Sequence, residues 1–317
     1  MKVPCFLRGM VCFFSAVFPN IIFAYGLCKP CCEPVCNAPS IFQIYTGFRY
    51  DTLKTHNNIE DECGNRISSN HLKEKNLSIW ELGLQGRFSY CSWFVRGFGS
   101  YGWIGTGQYR DRHSPVDDDA VLTKAKIRHG RTVDGLVGLG YLFPYNTQWN
   151  LGPVIGWGYD SQRIRAYHAR TDGFSDRILD GLHYKTIWSG PWIGIDTTYD
   201  TCDYLLQAGY EFHWAHWHAS WNPGCREDFD TISDSRNSNR VYGNVLYADM
   251  IWKSCSGWGL GIGLRLQQWR ANRGSIKAND NKRCFVETDR CCEEEFDRIK
   301  RVDWYSAAIR LNLGYVF

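Results

Sequence analysis

This chain carries ten segments in which apolar residues alternate with small or polar ones, and that pattern limits its fold more than any other feature. The segments cover residues 41–51, 77–88, 93–105, 132–143, 149–167, 184–198, 203–218, 241–252, 258–268 and 303–317. In the last one, DWYSAAIRLNLGYVF, every second residue from Tyr305 to Phe317 is apolar. Successive side chains of a β-strand point to opposite faces, so each segment predicts a strand with one apolar face. Strands of a soluble sheet alternate in the same way. The lengths of the connections must therefore distinguish a soluble sheet from a membrane barrel.

The connections between these segments alternate between long and short. Long polar stretches cover 52–76, 106–131, 168–183, 219–240 and 269–302, and short links cover 89–92, 144–148, 199–202 and 253–257. Membrane barrels have this asymmetry, with long outer loops and short periplasmic turns, whereas soluble sandwiches have no reason to follow it. We therefore predict an all-β, ten-stranded, antiparallel, up-and-down transmembrane β-barrel. Several segments exceed the roughly 10 residues that cross a bilayer, so we expect the wall to project beyond the membrane.

The start of the chain has the pattern of an export signal. Lys2 and Arg8 precede an apolar run from Met10 to Phe23 that Pro19 interrupts. A membrane anchor would need a longer and unbroken run. We predict a signal peptide at 1–24, a cysteine-rich periplasmic segment at 25–40 and the barrel at 41–317. The expected location is the outer membrane of a Gram-negative bacterium.

Two sets of residues predict contacts with the membrane and with the machinery that builds it. Aromatic residues near the strand ends form the predicted interface girdles: Trp157, Tyr159, Trp214, Trp252 and Tyr305. The apolar face of the final strand is the predicted signal for the barrel-insertion machinery: Ile309, Leu311, Leu313, Tyr315 and Phe317. The partners expected are therefore outer-membrane lipid and that machinery. A formal charge of +3 is too small to predict nucleic-acid binding.

The cysteines are placed at the two ends of the predicted barrel. Of 14 in the chain, 12 follow residue 24. Five lie in long loops: Cys63, Cys225, Cys284, Cys291 and Cys292. The seven on the periplasmic side are our candidates for disulfide cross-links: Cys28, Cys31, Cys32, Cys36, Cys91, Cys202 and Cys255. Adjacent cysteines seldom bridge each other, so their partners are expected elsewhere in the chain or in other cysteine-rich envelope proteins. CKPCCEPVC could be half of a zinc knuckle, but no matching second half follows it.

This combination of ten strands, cysteines in the turns and an aromatic terminal strand resembles the Protochlamydia outer-membrane protein (Pom) family of chlamydia-like bacteria. The resemblance covers nearly the whole chain after the signal. It implies a disulfide-braced envelope and, because some members of that family form pores, a porin function.

A second resemblance concerns catalysis. Residues 181–214 are similar to the sixth and seventh strands of the omptin proteases, which use an Asp-x-Asp pair in the second outer loop and an Asp-x-His pair in the fourth. The second loop here contains Asp111, His113, Asp117 and Asp119, but the fourth loop has no histidine, and His218 precedes it. Without that general base the omptin mechanism has no proton acceptor. We predict no enzyme activity and no catalytic residues.

Three histidines near the end of the seventh segment raise the question of a metal site. His213 should point opposite to His216 and His218, so the three cannot bind one ion from a single strand. We interpret them as polar rim residues and predict no metal and no cofactor.

The inward face of the predicted wall is charged and also rich in glycine. The predicted lumen-facing charges are Arg49, Glu81, Arg87, Arg96, Asp134, Asp160, Asp196, Glu211, Asp249, Arg265 and Arg310. Inward glycines that would leave space are Gly152, Gly156, Gly158, Gly190, Gly194, Gly259, Gly261 and Gly263. Small barrels are filled by side chains and large ones enclose channels, and a ten-stranded barrel is close to the small, filled kind.

The function predicted is a narrow porin that is also a disulfide-braced structural envelope protein. The alternatives are a closed surface barrel for adhesion and an omptin-like protease.

Overall fold

The computed structural model describes residues 39–60, 66–115, 120–171, 174–179, 182–222, 234–277 and 296–317. Ten long strands form one wall: β1 (Ile41–Glu60), β2 (Arg66–Tyr90), β3 (Trp93–Pro115), β4 (Val121–Tyr141), β6 (Trp149–Thr171), β8 (Leu182–Asp200), β9 (Tyr204–Asn222), β10 (Asp234–Lys253), β11 (Trp258–Lys277) and β12 (Phe296–Val316). Two short strands, β5 (Phe143–Pro144) and β7 (Phe174–Leu179), pair with β6. Within these ranges no helix is long and apolar enough to cross a membrane.

The ten long strands close into an antiparallel up-and-down barrel. Each pairs with its neighbours in the chain, β4 pairs with β6, and β1 pairs with β12 from Ile41 opposite Val316 to Glu60 opposite Phe296. The backbone of Phe317 completes this seam, because its N–H donates to the Ser40 carbonyl at 3.0 Å and its carbonyl accepts from the Ser40 N–H at 3.1 Å. The predicted fold class is confirmed.

The strands are about one and a half times as long as the alternating segments suggested. β2 has 25 residues and β8, among the shortest wall strands, has 19, so most of the residues expected in long outer loops belong to the wall. The prediction of long polar loops at 52–76 and 106–131 was wrong for residues 52–60, 66–76, 106–115 and 121–131, which are strand. The reason is that the outward side chains there are polar, since they lie beyond lipid, while the inward ones remain apolar.

Exposed aromatic rings form two girdles around the wall. The outer girdle contains Tyr50, Trp103, Tyr159, Trp214 and Tyr305, and the inner one contains Trp93, Phe143, Trp149, Trp252, Trp258 and Tyr315. Exposed apolar side chains such as Phe48, Leu84 and Ile309 cover the surface between them, which we call the lipid-facing band. Trp157 also faces outward within this band. The wall beyond the outer girdle is called the outer rim.

Candidate functional site: the filled interior of the barrel

The structure buries all eleven of the predicted lumen-facing charges inside the wall, from Glu81, Asp196 and Glu211 at 0% exposure to Arg96 at 8%. Two further charged residues are buried with them: Asp51 and Glu74. Asp51 was missed because the first segment was taken to end there. Its side chain lies two residues beyond Arg49 and therefore on the same face, so a longer strand would have predicted it.

One group of charges joins β1, β2, β4 and β12 across the lumen. The guanidinium of Arg49 donates to Asp51 at 2.7 Å, contacts Asp134 directly and lies 4.0 Å from Glu81. Arg310 donates to the other Glu81 oxygen at 2.9 Å. Charges taken out of water require such partners, because an unpaired buried charge is strongly destabilising.

A second group joins β2, β3, β8, β9 and β11. Arg87 donates to Asp196 at 2.7 Å, and Arg96 lies between Asp196 at 3.2 Å and Glu211 at 2.8 Å. Glu211 also contacts Arg265, at 3.8 Å. These pairs connect strands on opposite sides of the wall, so they hold the interior across its width.

The remaining two predicted charges are also inside. Asp249 accepts a hydrogen bond from the Asn312 amide at 3.0 Å. Asp160 is buried at 4% exposure.

Aromatic rings fill the space between the arginines. The Arg96 guanidinium lies between the rings of Trp192 and Tyr247, at 4.5 and 4.9 Å from their centroids. Arg310 lies 4.4 Å from the Tyr45 ring and 5.0 Å from the Phe98 ring. Cations stacked on aromatic faces away from water are favourable, so these contacts fix the arginines in place.

An apolar layer closes the interior at the level of the outer rim. Each of the ten wall strands contributes at least one side chain to one buried cluster, for example Leu53 from β1 and Val302 from β12. At its centre Trp188 packs against Trp217, Trp269 and Trp304, with ring centroids 5.8 to 6.0 Å apart. The charged groups therefore lie below a layer of packed indole rings.

The inward glycines do not leave open space, and that expectation was wrong. A Cβ at Gly156 would lie 2.6 Å from the Trp192 ring, and one at Gly158 would lie 3.2 Å from the His213 ring. Gly263 likewise faces the Asp249 carboxylate. The glycines admit large side chains from neighbouring strands, as close packing requires.

A small polar cavity remains below the apolar layer. Its volume is about 40 Å³, and its lining includes Arg87, Arg96, Arg265, Arg310 and Gln207. A cavity of this size holds only about three water molecules. The described residues thus fill the interior instead of lining a continuous channel.

The histidines divide between the two faces of β9. His213 is buried and its Nε2 lies 2.8 Å from Glu211 Oε2, so the expectation of a rim residue was wrong for it. Its ring occupies the space beside Gly158. His216 and His218 face outward beside Asn239 and Asn237, at 3.1 and 2.6 Å. In the described part of the chain no group of three or more His, Cys, Asp or Glu residues could hold a metal ion.

The structure describes three of the cysteine positions and some of the omptin-like positions. Cys91, Cys202 and Cys255 are exposed in three separate turns at the inner end. Cys28, Cys31, Cys32 and Cys36 lie outside the described residues, as do Asp117 and Asp119. Asp111 lies on the inner face of β3, where it accepts a hydrogen bond from Tyr109 at 3.4 Å.

A closed ten-stranded wall with a lipid-facing band between two aromatic girdles defines an outer-membrane β-barrel. The family model described as Pom, Protochlamydia outer membrane protein, matches residues 43–317, and the chain belongs to that family. The protein is therefore located in the outer membrane of a Gram-negative bacterium. Comparison with curated protein sequences gave no match.

Solved structures of other outer-membrane barrels are similar in fold. The protease OmpT from Escherichia coli is 13% identical with a TM-score of 0.61, over 89% of this chain and 98% of that chain. OprG from Pseudomonas aeruginosa is 11% identical with a TM-score of 0.32, over 89% and 97%. A FadL homologue from Pseudomonas aeruginosa is 9% identical with a TM-score of 0.30, over 87% and 90%. At such identity the likeness to OmpT shows the fold alone, and the two lower scores support no argument.

Proposed function

We propose that this protein is a structural component of the outer membrane, a barrel closed to solutes and joined by disulfides at its periplasmic end. The filled interior is the observation that carries the proposal. Cross-lumen ion pairs occupy the lower part and a layer of four tryptophans, Trp188, Trp217, Trp269 and Trp304, occupies the upper part. Such packing stiffens a wall and leaves no path for a hydrated solute.

Single-channel recording in planar bilayers tests the closed barrel. The purified protein, inserted from detergent, is expected to give no stable conductance steps at neutral pH. Regular steps of uniform size in protein freed of other porins would contradict the proposal. They would favour the narrow porin that the sequence predicts.

The narrow porin is the second candidate, and one observation favours it. The cavity of about 40 Å³ below the tryptophans is polar and lined by four arginines, as an aqueous pathway would be. A conducting state would have to move the apolar layer that lies above this cavity.

The placement of the turn cysteines supports the cross-linking role. Cys91, Cys202 and Cys255 are exposed in different turns. A bridge from Cys91 to either of the others would have to cross the barrel base, whereas the turns of Cys202 and Cys255 are neighbours, joined by the backbone bond from Lys253 N–H to the Asp203 carbonyl at 2.8 Å. The Cys91 thiol is free, and the backbone of Cys91 has φ of 53°, a conformation that favours glycine or asparagine. A cysteine at a strained turn position is consistent with a chemical role for its thiol. The partners proposed are the segment containing Cys28 to Cys36 and other cysteine-rich envelope proteins.

Non-reducing gels of the native envelope test this role. We expect high-mass species that collapse to monomer on reduction, and the triple variant Cys91→Ser/Cys202→Ser/Cys255→Ser should lose most of them. The matched control is Cys63→Ser/Cys225→Ser/Cys284→Ser, which removes the same number of thiols from the outer loops and should keep the species. Equal loss in both variants, or monomer alone in the oxidised native envelope, would refute cross-linking at the inner end.

We further propose that the protein is not a protease. The absence of histidine from the fourth loop of the sequence supports this, because the omptin mechanism needs a general base there.

A further inference from the structure

The outer rim carries a broad belt of positive charge on one side of the barrel. Thirteen cationic side chains of β1, β2, β3, β4, β6 and β8 face outward beyond the outer girdle, and we call them the basic belt: Lys54, Lys73, Lys75, Arg110, Arg112, Lys124, Lys126, Arg128, Arg131, Arg163, Arg165, Arg170 and Lys185. In this part of the same strands, as far as their side chains are described, no acidic residue faces outward.

Five members of the basic belt lie directly opposite one another in the strand register. Lys54 on β1 pairs with Lys73 on β2, and Lys73 pairs with Arg110 on β3. The row continues through Lys124 on β4 to Arg170 on β6. Residues opposite each other in neighbouring strands have Cβ atoms about 5 Å apart, and like charges there are destabilising.

A second row lies closer to the lipid-facing band. Arg131 on β4 pairs with Arg163 on β6, which pairs with Lys185 on β8. Two adjacent like-charged rows on a membrane protein form a surface to which a ligand with several negative charges can bind.

Crowding of cations within the basic belt perturbs the pKa of one of its members, Lys73. The side-chain contact with Lys75, then partial burial, and then the charges of Lys75, Lys54 and Arg110 lower the pKa of Lys73 to about 8. A lysine ordinarily titrates near 10.4, so the surrounding cations destabilise its ammonium form.

The opposite side of the outer rim differs in its chemistry. There Arg270 and Arg301 both donate to Asp303, at 2.8 and 2.6 Å, and His216 and His218 lie beside asparagines. Arg270 and Arg301 on that side therefore have their counter-charge within the wall. Among the described residues, the rows of directly opposed cations lie on β1 to β8.

The height of the basic belt above the hydrocarbon edge indicates which kind of ligand can reach it. Lys54 is four residues beyond Tyr50 of the outer girdle, which places it roughly 10 Å above the edge of the hydrocarbon for a tilted strand. Arg131 is two residues beyond the lipid-facing Val133, roughly 5 Å above that edge. A lipid anchored in the outer leaflet places its headgroup in this zone.

We propose that the basic belt binds phosphorylated lipid of the outer leaflet, with phosphate groups between the cations of neighbouring strands and acyl chains against the lipid-facing band. Lysine and arginine near an anionic membrane surface each strengthen binding by roughly a factor of five. Loss of three cations should therefore weaken binding by about 100-fold.

The test compares two triple variants with equal loss of charge. Lys54→Gln/Lys73→Gln/Arg110→Gln removes the centre of the belt, and Arg240→Gln/Arg273→Gln/Lys300→Gln removes exposed cations on β10 to β12. Each protein, folded in neutral detergent, is titrated with bisphosphorylated lipid A while its unfolding temperature is followed by heat-modifiable gel migration. Heat-modifiable migration without lipid verifies that each variant is folded.

The wild type and the β10–β12 variant should rise in unfolding temperature at the same lipid concentration, and the belt variant should need about 100-fold more lipid. Dephosphorylated lipid A and inorganic phosphate, each at matched concentration, should give no comparable shift. Equal responses of the two variants would overturn the proposal, as would an equal shift with the dephosphorylated lipid. A response to free phosphate, or to a soluble polyanionic polysaccharide in place of the lipid, would also overturn it.

Discussion

Replacement of Glu74 by glutamine should stabilise the barrel at neutral pH and remove one contribution to its pH dependence. Glu74 lies on the inner face of β2 with no exposure, and neither carboxylate oxygen has a hydrogen-bond partner among the described residues. Its strand neighbours Lys73 and Lys75 face solvent, so this position lies above the lipid-facing band. Burial, and secondarily the charge of Asp51, raise the pKa of Glu74 to about 8.

The sign and size of the effect follow from linkage. Between about pH 4.5 and 8 the folded protein keeps a proton on Glu74 that the unfolded chain has lost. The free energy of unfolding therefore falls as pH rises through this window, by about 1.4 kcal/mol per pH unit, or about 3 kcal/mol by pH 7. Glutamine is neutral in both states, so Glu74→Gln should abolish this contribution.

Urea unfolding of the refolded barrel in neutral detergent, at several pH values from 5 to 8, measures the difference. The gap between Glu74→Gln and wild type should widen with pH. The matched control is Asp203→Asn, which makes the same chemical change at an exposed turn. Its free energy of unfolding should depend on pH in the same way as that of wild type. Parallel pH profiles for wild type and Glu74→Gln would refute the reasoning.

Three further outcomes are expected. Glu211→Gln should lower the free energy of unfolding in urea by about 3 to 5 kcal/mol, because it leaves Arg96 with one carboxylate fewer in a buried site; a loss below 1 kcal/mol would contradict this. Deletion of Phe317 removes the backbone pairing with Ser40 and should reduce membrane insertion while secretion continues, and normal heat-modifiable barrel would count against it. Purified protein should not cleave basic peptides, and cleavage that Asp117→Ala abolishes would show omptin-like activity.

The sequence was sufficient to predict the wall and the direction of its side chains. Period-two alternation assigned Arg87, Asp196 and Glu211 to the interior, and the structure buries them there. Alternation is local, so it depends only on a residue's own strand. The ion pairs between these residues depend on strand tilt and register around the closed wall. Neither can be read from the sequence of a single strand.

The apolar layer was missed for a related reason. Leu72, Ile127 and Ile299 lie in stretches whose neighbours are charged, so these stretches suggested loops. Beyond the bilayer the polarity of a barrel wall reverses, with polar residues outside and apolar ones inside. Residues 66–76 and 121–131 still alternate between apolar and polar. Counting this alternation, whichever face is the apolar one, would have extended these strands.

The apolar layer, and not the charged groups, should determine whether the barrel can conduct. Arg96 contacts both Asp196 and Glu211 and borders the small cavity, so its side chain can rearrange without losing its charge pairing. The ring of Trp188 contacts three other indoles, and exposing such a ring to water costs about 3 kcal/mol. Trp188→Ala/Trp304→Ala should therefore give small conductance steps in planar bilayers at neutral pH, whereas Glu211→Gln should remain silent although it weakens the charged groups. Steps from Glu211→Gln with silence from the tryptophan variant would place the closure in the charged groups and contradict the role assigned to the indole rings.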